Sequence, residues 1–160
     1  MATALRTEDL LRHLADLRSG SHEGVSDRAG KQAVYRRAVE LLDPVVRRVL
    51  EEARAALLDG DGEVAAEPVH PDGGGLLAAW TLSWPAQRAS GTEPVTVVAE
   101  FAAGFLHPHL RGGTLGWWPL QVTGERDAER QVPVVAAIVE AELHNLMLRT
   151  SWRVVPAARA

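Results

Sequence analysis

Between Leu76 and Trp84 the chain alternates: Leu76, Ala78, Trp80, Leu82 and Trp84 fall on one side of an extended backbone, Leu77, Ala79, Thr81 and Ser83 on the other. Successive side chains of a strand point to opposite faces, so the pattern predicts a strand with one deeply buried face and Trp80 as a core anchor. Pro85 stops it, Gln87 to Glu93 reads as a polar loop, and Pro94 opens a second alternating run in which Val95, Val97, Ala99 and Phe101 oppose Thr96, Val98, Glu100 and Ala102. The short loop makes the two strands antiparallel neighbours. A sheet with one apolar face needs a second layer laid on it.

Helical spacing supplies that layer. From Ala33 to Leu58, Val34, Ala38, Leu41, Leu42, Val45, Val49, Ala53 and Leu57 form an apolar stripe, with Arg and Glu on the opposite side. Asp43-Pro44 interrupts the run, and because proline lacks the amide a helix needs, a kink or a fresh helix start is expected there. Apolar surface that the sheet leaves uncovered would favour a homodimer. Upstream, Thr7 with Glu8 and Asp9 marks a helix start, Leu10, Leu14 and Leu17 follow at helical spacing, Ser19-Gly20-Ser21 ends the helix, and Ser26 is the candidate cap of the next. Pro133 opens a last helix with Val135, Ile138, Val139, Leu143, Leu146 and Met147 on its apolar face; Glu140, Glu142, His144 and Asn145 are read as its solvated side.

Helices, then strands, then a helix argue for an α+β fold: N-terminal helices and a C-terminal helix packed on a small antiparallel sheet of three to five strands. A chain of 160 residues suits a single domain, 1–160, divided into a helical part (1–58), a sheet (63–106), a loop region (107–132), a helix (133–148) and a terminal strand or tail (151–155). Within the sheet part, a short strand from Val64 to Val69 is expected, and His70 to Gly75 is expected to be a hairpin-type loop.

Composition removes several classes of function. There is no cysteine, hence no disulfide, thiolate metal site or thiol nucleophile. A net charge of -4 gives no reason to expect nucleic acid, and the sixteen Arg against the single Lys31 reflect coding bias of an actinobacterial kind. Met1 to Glu8 shows no signal-peptide pattern, and no apolar run approaches the ~20 residues of a membrane span, so a cytoplasmic address without membrane partners is expected.

Chemistry concentrates between Phe105 and Pro119, where two histidines, three glycines and two tryptophans share fifteen residues. His107, His109, Arg111, Trp117 and Trp118 make up a candidate binding surface for a protein or small-molecule partner, since exposed tryptophan is enriched where partners bind. On its own, His107 reads as a hydrogen-bonding residue at a strand-to-loop corner. An alternative reading is enzymatic. His107 and His109 project to one side of an extended segment, Glu140 and His144 are neighbours on one helix face, and the four would suit zinc or iron if the two elements converged. Arg111 to Gly116 has the glycine content of an anion cradle but precedes Trp117-Trp118-Pro119 rather than a helix, which favours a structural loop.

The run Pro94-Val95-Thr96-Val97, then Phe105-Leu106-His107-Pro108-His109-Leu110, a glycine, Trp118-Pro119 and an apolar helix from Val134 resembles the middle of the ubiquitin-conjugating enzyme fold and its inactive RWD-type relatives. His109 stands where that family carries asparagine. The catalytic cysteine would fall near Leu115 or Gly116, neither of which forms a thioester. The resemblance covers about a third of the chain and implies a non-catalytic partner-binding domain without a cofactor.

Overall fold

The computed structural model describes residues 7–159. Most of the Met1–Glu8 segment therefore lies outside the described residues. The elements in order are α1 (Thr7–Ser19), α2 (Arg28–Leu57), β1 (Glu63–Asp72), β2 (Gly75–Ser83), α3 (Pro85–Ala89), β3 (Val95–Phe101), β4 (His109–Gly112), β5 (Trp118–Pro119), α4 (Glu125–Glu129) and α5 (Val132–Arg149). Two 3-10 turns, Trp152–Val154 and Pro156–Arg159, close the chain where a terminal strand or tail is expected from the sequence. No described helix is long and apolar enough to cross a membrane.

The fold is α+β, and its five strands form one antiparallel sheet in the order β1-β2-β3-β4-β5, each strand hydrogen-bonded to the next in sequence. β1 is longer than the Val64–Val69 expectation. It reaches Asp72, slips register between Glu67 and His70 where Pro68 has no amide to give, and turns through Gly73 and Gly74 at φ 52° and 83°, backbone that glycine adopts without strain. The two alternating runs pair as expected, Trp80 opposite Val97 and Ala78 opposite Ala99. Trp80, Leu82, Val97, Ala99, Phe101 and Leu110 are all at most 1% exposed in the cluster formed with α2 and α5.

α2 runs unbroken through Pro44. Asp43 accepts from Trp80 Nε1 at 2.9 Å and from Arg47 Nε at 2.9 Å, so the carboxylate beside the proline ties helix to sheet. Burial on both sides of Pro44 outweighs the one amide it lacks. The cap is Asp27, not Ser26: its Oδ1 accepts from Gly30 N at 2.8 Å. The buried face is wider than the expected stripe, adding Tyr35, Val39, Val46 and Leu50. With that face covered, α2 gives no reason for a dimer.

Two loops hold structure that the sequence does not announce. Pro85–Ala89, which takes in the first residues of the expected Gln87–Glu93 loop, is a helical turn, and the 107–132 region contains β4, β5 and α4. α1 departs furthest: Leu10, Leu11, Leu14 and Leu17 are 51%, 60%, 47% and 43% exposed, while His13 is buried.

Candidate functional site

His107 lies in the link between β3 and β4 and His109 opens β4, but Glu140 and His144 are exposed on α5, and the structure does not assemble these four. Among the described residues, no group of three or more His, Cys, Asp or Glu side chains stands so as to hold a metal ion. His107 and His109 meet two further histidines, from segments distant in the chain. His13 of α1 lies 5.3 Å from His107 and 6.1 Å from His109, centroid to centroid, and His22 of the α1–α2 link lies 5.7 Å from His107. The ring planes cross at 77°, 78° and 64°, edge against face.

The cluster is short of hydrogen-bond partners within the chain. His13, His22 and His107 are buried, and neither ring nitrogen of His107, nor Nδ1 of His22 or of His109, has a hydrogen-bond partner. His107 is thus not the hydrogen-bonding corner residue expected from sequence. Burial, with the neighbouring His13 and Lys31 adding repulsion, drives His107 down from 6.5 to about 4; burial drives His22 to about 4 despite the opposing pull of Asp16. Burial also lowers His13 and His109. All four are therefore neutral near pH 7.

The tryptophans end on the same neighbourhood. In the β3–β4 ladder Glu100 sits opposite His109, so the two share a sheet face, and Arg111 follows two residues on. Glu100, only 8% exposed, pairs with Arg111 Nε at 3.1 Å and accepts from Trp117 Nε1. The Trp117 ring lies 5.4 Å from Phe105, which lies 5.0 Å from His109, so ring contacts run continuously from Trp117 to His22. Even so, Trp117 is 58% and Trp118 42% exposed. With Thr7, Asp9, Leu10, Pro119, Gln121 and Gln131 they line a cavity of about 400 Å³.

The glycine loop is not open to an outside anion. Glu142, read from sequence as solvated, is 3% exposed, and its Oε1 accepts from both the amide and the hydroxyl of Thr114 at 2.7 Å. Asn145 Nδ2 donates to the same hydroxyl at 2.9 Å. A Cβ at Gly112 would run into the Glu142 side chain, which is why the loop needs glycine there. The cradle is filled from within by a carboxylate of α5.

The anchors of α1 carry no sequence signature. Arg12 Nη2 contacts Glu23 at 2.6 Å and Asp127 at 3.4 Å, Arg130 contacts Asp9 at 3.0 Å, and Asp16 accepts from Gln121 Nε2 at 3.2 Å. Lys31, the single lysine, is buried and donates to Gly20 O at 2.9 Å and Leu106 O at 3.2 Å. Arg28 donates to Phe105 O at 2.8 Å and to Ala102 O at 3.0 Å, and lies 3.6 Å over the Phe101 ring. Both cations sit at the start of α2 and shape the link that delivers His107. No family model, curated protein or solved structure matches the chain.

Proposed function

We propose that this chain is a non-catalytic binding module whose working surface is the 107–119 loop, and that its ligand is a small, flat, largely apolar molecule seated between Trp117, Trp118, Pro119 and Leu10. The observation that carries this reading is the pair of half-exposed tryptophans at the rim of a cavity of about 400 Å³. Cavities that take small molecules fall at roughly 300–1,000 Å³ and combine apolar walls with a few polar groups. Thr7, Asp9, Gln121 and Gln131 are the polar groups here. The hydrogen bond to Glu100 and the edge contact with Phe105 hold the Trp117 ring, which reduces the ordering cost of binding. The resemblance to inactive relatives of ubiquitin-conjugating enzymes implies a role of the same kind, binding without catalysis.

Titration with 1-anilinonaphthalene-8-sulfonate, read by probe emission and by tryptophan quenching, tests the proposal. One saturable site per chain is expected, with affinity falling about tenfold or more in Trp118→Ala, the loss of one buried aromatic contact. Non-saturable binding, or affinity unchanged by Trp118→Ala, would overturn it.

A further inference from the structure

The cavity beside Trp117 and Trp118 is richer in spare acceptors than in spare donors. Gln121 and Gln131 line it, each 2% exposed, and the Oε1 of each is buried with no donor within the chain. The other end of each amide fixes its orientation. Gln121 Nε2 donates to Asp16 Oδ2 at 3.2 Å and Gln131 Nε2 to the carbonyl of Asp127 at 3.5 Å, so turning either amide over would set oxygen against oxygen. The Trp117 N–H is taken as well, by Glu100. Among the side chains that line the cavity this leaves the Trp118 indole and the Thr7 hydroxyl to donate, and the hydroxyl accepts as readily. Asp9, the charged residue of the wall, is an acid paired with Arg130, which does not itself line the cavity.

We infer that the cavity selects a hydrogen-bond donor: a flat aromatic amine or amidine whose N–H groups bond the Oε1 atoms of Gln121 and Gln131 while its ring lies against Trp117 and Trp118. The inference rests on the cavity's being a ligand site and adds what that site recognises. An acceptor buried without a donor is unfavourable, and a ligand that brings one recovers the loss on binding. The terminal torsion of glutamine is soft, so a small turn of either amide carries its oxygen to a donor in the cavity. A group that presents only oxygen there, such as a carboxylate, finds no donor and is rejected.

Calorimetric titration of the full chain with four quinolines of nearly one outline tests this. 2-Aminoquinoline offers N–H donors, 2-methylquinoline puts a methyl in place of the amine, 1-methylquinolinium carries positive charge without a donor, and quinoline-2-carboxylate presents only oxygen. 2-Aminoquinoline is expected to bind one site at least about tenfold more tightly than each of the others, the gain of one to two hydrogen bonds. Gln121→Met and Gln131→Met, close in volume to glutamine, should each remove most of that advantage and leave 2-methylquinoline within about twofold, which also shows the cavity intact. If 2-methylquinoline or 1-methylquinolinium binds as tightly as 2-aminoquinoline, at a site lost in Trp118→Ala, the cavity remains a ligand site and this inference falls. An advantage that survives in both methionine variants overturns it too. If none of the four binds saturably, the inference and the reading beneath it fall together.

Discussion

α1 and α2 carry the same kind of sequence pattern and use it in opposite ways. In α2 the apolar face, with Tyr35, Ala38, Leu42, Val46 and Leu50 all at most 1% exposed, is the floor on which the sheet rests. In α1 the apolar residues point outward, and the helix is held by His13, Arg12, Asp9 and Asp16. Periodicity shows that a helix has two faces. Which one is turned inward depends on what lies opposite: for α2 a sheet face bearing Trp80, Leu82 and Phe101, for α1 two histidines and the polar ends of α4 and its neighbours.

The contrast can be broken most directly in α2. Leu42→Ala should cost about 2–5 kcal/mol in urea unfolding, the usual range for a fully buried leucine. A smaller loss would mean that the α2 face is not the core it looks to be.

Acid attacks the other helix. His22 and His107 fall from the ordinary 6.5 to about 4 in the folded chain, so between those values the unfolded chain binds the extra protons. Stability is therefore complete above pH 6.5 and declines as pH falls toward 4, by a few kcal/mol for the pair. The groups facing the cluster are Asp16, Glu100 and Lys31, and the carboxylates only soften the fall. His107→Phe should flatten the profile at little cost near pH 7, because it removes two unpartnered buried nitrogens. Hydrogen exchange across pH 4–7 should show α1 amides opening before those of α2; simultaneous opening would erase the distinction between the helices.

Smaller effects sharpen it. Arg12→Ala should destabilise by about 1 kcal/mol, releasing Glu23 and Asp127 in a partly exposed setting, with faster exchange confined to α1 and α4. Leu14→Ala should change unfolding by less than about 0.5 kcal/mol in dilute protein, as for other surface sites. A cost approaching that of Leu42→Ala would place the leucine stripe inside the monomer.

What could be read from the chain follows the same divide. The alternation at Leu76–Ser83 and Val95–Phe101 was legible because strand period and burial coincide there, and so were the covered faces of α2 and α5. The tryptophans of the 107–119 loop were legible as a location, since glycine and proline around large aromatics mark a loop. The histidine cluster was not. It joins residues 13, 22, 107 and 109 from separate segments, and no spacing along the chain encodes that meeting. Glu142 differs from expectation for a related reason: a carboxylate on a helix looks solvated until a loop supplies an amide and a hydroxyl to it.

The single lysine has a consequence for chemistry performed on this protein from outside. Its ε-amino group is buried and committed to two carbonyls at the corner where α1 ends, α2 begins and the link to His107 passes. An acylating reagent, or an enzyme that modifies lysine, finds no accessible side-chain amine in the folded chain among the described residues. The rate at which Lys31 is labelled is therefore a clock for the opening of that one corner, readable from the mass of the peptide that carries it, with no second lysine to confuse the count.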